Sequence, residues 1–78
     1  YLAELKIYGR NRMGLLVDVS KIFTEQQIDM TSINVRTSKQ GTATINVTFN
    51  ITGREQLIQV TDKLRQVEGI MDIERTTG

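Results

Sequence analysis

An unbroken alternation of apolar and polar residues over residues 42–51 constrains the fold more than any other feature of this sequence. The apolar positions are Ala43, Ile45, Val47, Phe49 and Ile51, and the intervening positions carry only threonine and asparagine. Because neighbouring side chains of a strand point to opposite faces, the pattern predicts a strand with one buried and one wholly polar face. The sheet is therefore expected to be antiparallel and covered on one side only.

Shorter alternating stretches predict the remaining strands. Residues 2–8, 30–37 and 70–75 each place apolar side chains at every second position. Residues 38–41 join two predicted strands and end in a glycine, which predicts a short hairpin loop with Gly41 in the left-handed conformation. Four strands are therefore expected.

Apolar residues recur at helical spacing in two segments between these strands. The first helix is predicted over residues 15–26, with Asn11 as the better N-cap candidate. The second follows a predicted capping box of Thr52 and Glu55, and Gly69 is expected just past its end. The stripes that should face the sheet are Leu15, Leu16, Val19, Ile22 and Phe23 in the first helix, and Leu57, Val60, Leu64 and Val67 in the second.

The element order is therefore βαββαβ, in one α+β domain over residues 1–78. Right-handed crossovers place both helices on the same face of the sheet. This is the ferredoxin-like, split-βαβ arrangement with strand order 4-1-3-2. Strands two and four form the edges and are available for pairing with a partner. Residues 76–78 are expected to be a frayed tail.

Composition excludes several kinds of active site. The chain has no cysteine and no histidine, which removes disulfides, thiol catalysis and the commonest general base and metal ligand. Its carboxylates are scattered over helices and strands, so no catalytic residue, metal site or cofactor is expected. The net charge of +1 implies no nucleic-acid or membrane field, and no apolar run approaches the ~18 residues of a membrane span. The chain begins with Tyr1, and we expect a cytoplasmic piece of a longer protein.

Two other functions occur on the same topology, and the residues favour neither. An acylphosphatase-like enzyme could hold a phosphate near Arg10 and Arg12, but the longer glycine- and valine-containing loop of that family is absent. An RNA-recognition motif stacks bases on exposed aromatic residues of its central strands. Here Phe49 lies on the predicted core face and only Tyr8 is expected to be exposed, so a stacking platform is missing.

Three stretches of the sequence resemble an ACT domain. Residues 9–16 read GRNRMGLL, residues 27–30 read QIDM, and residues 67–75 read VEGIMDIER. The usual ACT turn reads Asp-Arg-X-Gly-Leu-Leu, and this chain departs from it only at Asn11. The resemblance covers nearly the whole chain.

Further stretches resemble one group of ACT domains. Residues 7–9, 43–47 and 57–65 are most similar to the C-terminal ACT domain of RelA/SpoT-type enzymes, the GTP pyrophosphokinases that make, and often hydrolyse, (p)ppGpp. The resemblance implies a regulatory domain without chemistry of its own, because catalysis in that family lies in other domains. It also implies small effectors such as amino acids, homodimers formed through sheet edges, contacts with other domains of the parent enzyme, and ribosome or tRNA contact.

The candidate effector site is the turn between the first strand and the first helix. A helix N-terminus presents unpaired N–H groups to a carboxylate, and glycines allow close approach of a ligand. If two copies pair through strand two, this turn should face residues 30–34 of the partner. The candidate ligand-binding residues are Asn11, Arg12, Met13, Gly14 and Leu15, with Thr31, Ser32 and Ile33 across the interface. Arg12 is expected either to add charge or to remain a solvated loop residue.

Two features of the sequence leave an alternative open. Asn11 lacks the negative charge with which an aspartate would recognise an effector ammonium group, and the polar sheet face is broad. The alternative is therefore an interaction module that docks to a neighbouring domain or to ribosomal RNA without a small ligand. Gly14→Val is expected to weaken effector binding or dimerisation more than it lowers the melting temperature.

Overall fold

The six helices and strands follow one another in the predicted order. The computed structural model describes residues 1–77. The elements within that range are β1 (Leu2–Arg10), α1 (Leu15–Glu25), β2 (Met30–Thr37), β3 (Thr42–Asn50), α2 (Arg54–Arg65) and β4 (Ile70–Thr77). The predicted βαββαβ order is confirmed.

The strands form one antiparallel sheet in the order β2-β3-β1-β4. This is the predicted order 4-1-3-2 read from the other edge, and the ferredoxin-like α+β fold is confirmed. Both β1 and β2 run antiparallel to β3, so β1 and β2 point in the same direction. The turn that follows β1 therefore lies near the end of β2, beside the β2–β3 hairpin.

The core lies between the helices and the apolar face of the sheet. The rings of Phe23 in α1 and Phe49 in β3 meet with their centroids 5.0 Å apart. Among the described residues no polar or charged side chain is buried. The buried residues are Ala3, Leu5, Ile7, Leu15, Val19, Phe23, Ile28, Ala43, Ile45, Val47, Phe49, Ile51, Leu57, Val60, Leu64 and Ile73. The predicted alternation of β1 and β3 is thus confirmed.

Some predicted core positions are not fully buried. Leu16 is 41% exposed, and Ile22 and Val67 are only partly buried against the core. On β2, Ile33 and Val35 are 40% and 41% exposed although they lie opposite buried residues of β3. The reason for the β2 pair is its place at the edge of the sheet, where a strand has a neighbour on one side only.

Strand boundaries differ from the sequence expectation at three places. β1 continues to Arg10, which pairs with Thr42 and donates its N–H to the carbonyl oxygen of Gly69 at 2.8 Å. β3 ends at Asn50 rather than at residue 51. β4 continues through Thr76 to Thr77, so the expectation of a frayed tail is wrong there; Gly78 lies outside the described residues.

The termini of α2 differ from those predicted. The N-cap is Gly53 and no side chain caps the helix, so the predicted capping box is wrong. Instead, Thr52 donates from its N–H and its hydroxyl to Oε1 of Gln56, at 2.8 and 3.2 Å. α2 ends at Arg65 with Gln66 as C-cap, so Gly69 is not its C′ residue. The left-handed conformation predicted for Gly41 is confirmed, with φ of 84°.

Candidate functional site

The turn between β1 and α1 is closed by a glycine rather than by the predicted asparagine. Gly14 is the N-cap of α1 with φ of 83°, a left-handed conformation that glycine adopts without strain. Its carbonyl oxygen accepts the first helical hydrogen bond, from the N–H of Asp18 at 2.9 Å. Asn11 lies three residues earlier and donates its N–H to Gly41 in the hairpin at 2.8 Å, so its predicted capping role is wrong.

The N-terminus of α1 offers unpaired donors. No side chain caps this helix, and the N–H groups of Leu16 and Val17 have no acceptor among the described residues. The positive end of the helix dipole lies at the same place. A carboxylate at this turn would find both hydrogen-bond donors and a favourable potential.

A groove of about 140 Å³ separates this turn from the sheet. Its deepest residues are the buried Leu15, Ala43 and Ile45, and Val17 and Val35 at its rim are 68% and 41% exposed. We call it the loop groove. Its lining residues are Asn11, Arg12, Gly14, Leu15, Leu16, Val17, Val35, Ala43 and Ile45.

The predicted site residues fall into two groups. Asn11, Arg12, Gly14 and Leu15 line the loop groove, while Met13 is 98% exposed beside it. The predicted residues of β2 belong to the opposite end of that strand and do not line the groove of their own chain. They are Thr31, Ser32 and Ile33.

Sequence reasoning missed the sheet residues of the groove, which are Val35, Ala43 and Ile45. The signal that could have found them is the topology. Because β1 and β2 run in the same direction, the turn after β1 must lie over the last residues of β2 and the first residues of β3.

Arg12 is not a solvated loop residue. Its side chain is 23% exposed and donates from Nη2 to Oδ2 of Asp18 at 2.7 Å. It also donates from Nε to the carbonyl oxygen of Glu68 at 2.9 Å and from Nη1 to that of Met13 at 3.1 Å. Asp18, in the first turn of α1, is thus paired with the turn.

The polar face of the sheet carries a second, wider depression of about 380 Å³. The Nζ of Lys6 lies 5.7 Å from the ring centroid of Tyr8, whose hydroxyl donates to Glu74 at 3.4 Å. Phe49 is buried on the other face. The lining residues are Glu4, Lys6, Tyr8, Ser32, Asn34, Arg36, Thr44, Asn46 and Thr48. Tyr8 is the single aromatic residue among them, which does not make a base-stacking platform.

Neither of the helices within residues 1–77 is long and apolar enough to span a membrane. The same residues contain no group of three or more acidic side chains placed to hold a metal ion.

Comparison with known proteins identifies the family. The sequence profile of the ACT domain matches residues 1–75. The chain belongs to the ACT domain family. The GTP pyrophosphokinase of Streptomyces coelicolor is 31% identical over 78 residues, which are 100% of this chain and 9% of that protein. The GTP pyrophosphokinase of Escherichia coli is 30% identical over 79 residues, 100% of this chain and 11% of that protein. This ACT domain therefore spans about a tenth of the length of these relatives.

Solved structures agree with this assignment. The ACT domain from the GTP pyrophosphokinase of Chlorobium tepidum superposes with a TM-score of 0.86 and 25% identity, covering 97% of both chains. The small subunit of acetolactate synthase from Thermotoga maritima superposes with a TM-score of 0.85 at 13% identity, over 96% of this chain and 47% of that one, which shows the fold alone. The expected resemblance to the ACT domain of RelA/SpoT-type GTP pyrophosphokinases is confirmed.

Proposed function

We propose that this ACT domain is the regulatory module of a (p)ppGpp synthetase/hydrolase and binds a small aliphatic amino acid between two copies paired through β2. The observation that carries the proposal is the loop groove, an apolar groove with unpaired helix N–H groups that lies beside an open sheet edge.

The catalytic role belongs to other parts of the proposed parent protein. The relatives are GTP pyrophosphokinases of which this domain matches 9% and 11%. The chain has no histidine or cysteine, and its carboxylates do not converge on one site in the described residues. The proposal includes a cytoplasmic parent with synthetase or hydrolase domains, and contact of that parent with the ribosome or tRNA.

The two edge strands of the sheet, β2 and β4, differ in how well each could pair with a second copy of the chain. β2 has one register shift, between Met30 and Ser32 at its start, and pairs with β3 in continuous register from Ser32 to Thr37. β4 has two register shifts, and the N–H of Ile73 is occupied by Oδ1 of Asp72 at 2.9 Å. β-Bulges, and backbone N–H groups that already have an acceptor in their own chain, keep an edge strand from pairing with another strand. The β2 edge, which is regular from Ser32 to Thr37, is therefore the better candidate for self-association.

We propose a twofold antiparallel pairing of two β2 strands centred on Asn34. In that register Ile33 lies opposite Val35 of the second copy, on the helix side of the sheet, and Ser32 lies opposite Arg36. Two half-exposed apolar residues of each chain would thus be covered. The loop groove would then face residues 31–33 of the second copy, so the two separated groups of candidate residues would meet.

The chemistry of the paired site favours a small aliphatic amino acid over a nucleotide. The amides of Leu16 and Val17 suit a carboxylate, while Met13, Val35 and Ile33 of the second copy suit a short apolar side chain. Asn11 offers a neutral amide oxygen rather than a carboxylate to an ammonium group. Recognition of the ammonium group therefore depends on hydrogen bonding rather than on ion pairing.

Amide chemical shifts in the presence of each of the twenty amino acids test the proposal. We expect an aliphatic amino acid to shift the amides of Leu16 and Val17 together with those of Ser32 and Ile33. Because the second pair is remote from the groove of its own chain, simultaneous shifts at one ligand concentration require a dimer. Sedimentation should report the dimer independently.

Val35→Lys is the decisive variant for this site. It places a charge in the proposed interface, so we expect a monomer without ligand-induced shifts. Met71→Lys, at a 60% exposed residue of β4, is the matched control and should pair and bind as the original chain does. Binding by monomeric Val35→Lys, or the same loss in Met71→Lys, would contradict the proposed site.

Docking without a small ligand is the second candidate function. The wide polar depression with Lys6 and Arg36 favours it, because such a face suits a polar surface of a neighbouring domain or ribosomal RNA. It predicts that none of the twenty amino acids shifts the amides of the loop groove.

A further inference from the structure

We propose that Arg12 is a positioning residue that links the loop groove to the connection between α2 and β4, so that a displacement of the turn reaches the start of β4. The regulatory meaning of this link depends on the function proposed above. The link itself is a property of the chain without ligand.

Arg12 joins three parts of the chain through one guanidinium group. Nη2 contacts Asp18 in the first turn of α1 and Nη1 contacts the carbonyl oxygen of Met13 in the turn. Nε contacts the carbonyl oxygen of Glu68 beyond α2, 56 residues away in sequence. The flat guanidinium fork fixes these directions relative to one another, which a lysine ammonium cannot do. The turn therefore cannot rotate without straining its bond to Glu68.

The far side of this link is closely packed against β1. Gly69 has φ of 96°, and its carbonyl oxygen accepts from the N–H of Arg10 at 2.8 Å. A Cβ atom at Gly9 would lie 3.1 Å from that same carbonyl oxygen, so the two backbones are close enough that a side chain at Gly9 would push the Gly69 carbonyl away. Ile70, the first residue of β4, follows directly. A shift of Glu68 thus acts on a tight contact rather than on a free loop.

The second ion pair at this connection does not provide the same link. Arg10 and Glu68 approach to only 4.0 Å, and their side chains are 64% and 80% exposed. Exposed pairs of this kind contribute little. The Arg12–Asp18 pair is shorter, and its side chains are 23% and 47% exposed. Arg12 therefore makes the polar link between α1 and the connection.

A double-mutant cycle without ligand tests the link. Among the described residues Asp18 has no hydrogen bond or ion pair with the connection except through Arg12, and Asp18→Asn keeps its shape while removing the charge. We expect this variant to raise the hydrogen-exchange rate of the Arg10 amide, which donates to Gly69, about fivefold. In an Arg12→Lys background, Asp18→Asn should change that rate no further, because the link is already broken.

Two controls separate the link from a general loss of stability. Glu25→Gln removes a charge from the other end of α1 and should leave the Arg10 amide unchanged. The amide of Leu64 reports global opening and should exchange at its original rate in Asp18→Asn. Equal acceleration at Arg10 and Leu64, no acceleration at Arg10, or an undiminished effect of Asp18→Asn in the Arg12→Lys background would each overturn the link.

Titration with L-valine extends the test to regulation. We expect L-valine to shift the amides of Val17 and Ile70 in the original chain, but only that of Val17 in Arg12→Lys. A shift at Val17 without one at Ile70 in the original chain would contradict transmission. If L-valine shifts neither amide, the proposed effector fails, and the exchange cycle above still decides whether the link exists.

Discussion

Replacing Leu64 by alanine is expected to lower the free energy of unfolding by about 2–5 kcal/mol. Leu64 lies in α2, is 0% exposed and belongs to the buried cluster under the helices. Truncation removes buried apolar surface and leaves a cavity that a closely packed interior does not refill. Small domains have total stabilities of about 5–15 kcal/mol, so this is a large share. Urea-induced unfolding measures the change.

Ile58→Ala is the matched control on the same helix. Ile58 is 52% exposed, so truncation loses less burial, and alanine has the better helix propensity. We expect a change of less than about 1 kcal/mol. A change of under about 0.5 kcal/mol for Leu64→Ala, or equal changes for both variants, would mean that α2 does not pack on the sheet through Leu64.

Hydrophobic periodicity was sufficient to predict the fold. The alternation in β3 and the apolar stripes of α1 and α2 indicate which face of each element is buried. Right-handed crossovers then place both helices on the same face of the sheet. The pattern fails where burial depends on position within the sheet. Ile33 and Val35 alternate as clearly as Ile45 and Val47, but they lie on an edge strand and stay half exposed.

Helix termini were predicted less well, because several nearby residues can satisfy the same backbone groups. Asn11 and Gly14 both precede the first turn of α1, and the N-cap is Gly14, which adopts φ of 83°. Thr52 was equally consistent with Glu55 and with Gln56, and the structure uses Gln56. Propensity ranks such residues without deciding between them.

The candidate site could be predicted only in part. The turn that lines the loop groove follows from sequence, since a glycine turn before a helix is a local feature. The role of Arg12 does not, because Glu68 is 56 residues away and nothing in the local pattern points to it. The grouping of the turn with residues 31–33 requires a second copy of the chain, and it remains a proposal.

Gly14 is the position at which stability and binding can be separated most clearly. Its φ of 83° strains any residue with a Cβ atom, and a β-branched residue most. Space is not the obstacle within one chain, since the nearest neighbour of a Cβ atom would be Nη1 of Arg12 at 3.7 Å. Gly14→Val is therefore expected to cost about 1–3 kcal/mol through backbone strain. Loss of binding in that variant alone would be ambiguous.

Gly14→Asn removes this ambiguity, because asparagine tolerates the left-handed conformation. We expect it to cost less than about 1 kcal/mol in urea unfolding while its side chain obstructs the loop groove and weakens binding of an aliphatic amino acid by about tenfold or more. The measurements are unfolding and amide-shift titration of both variants. Equal stability of Gly14→Val and Gly14→Asn would show that the left-handed turn is not what requires glycine. A stable Gly14→Asn variant that binds the amino acid as tightly as the original chain would show that the amino acid does not bind at this turn. The asparagine side chain would otherwise obstruct it.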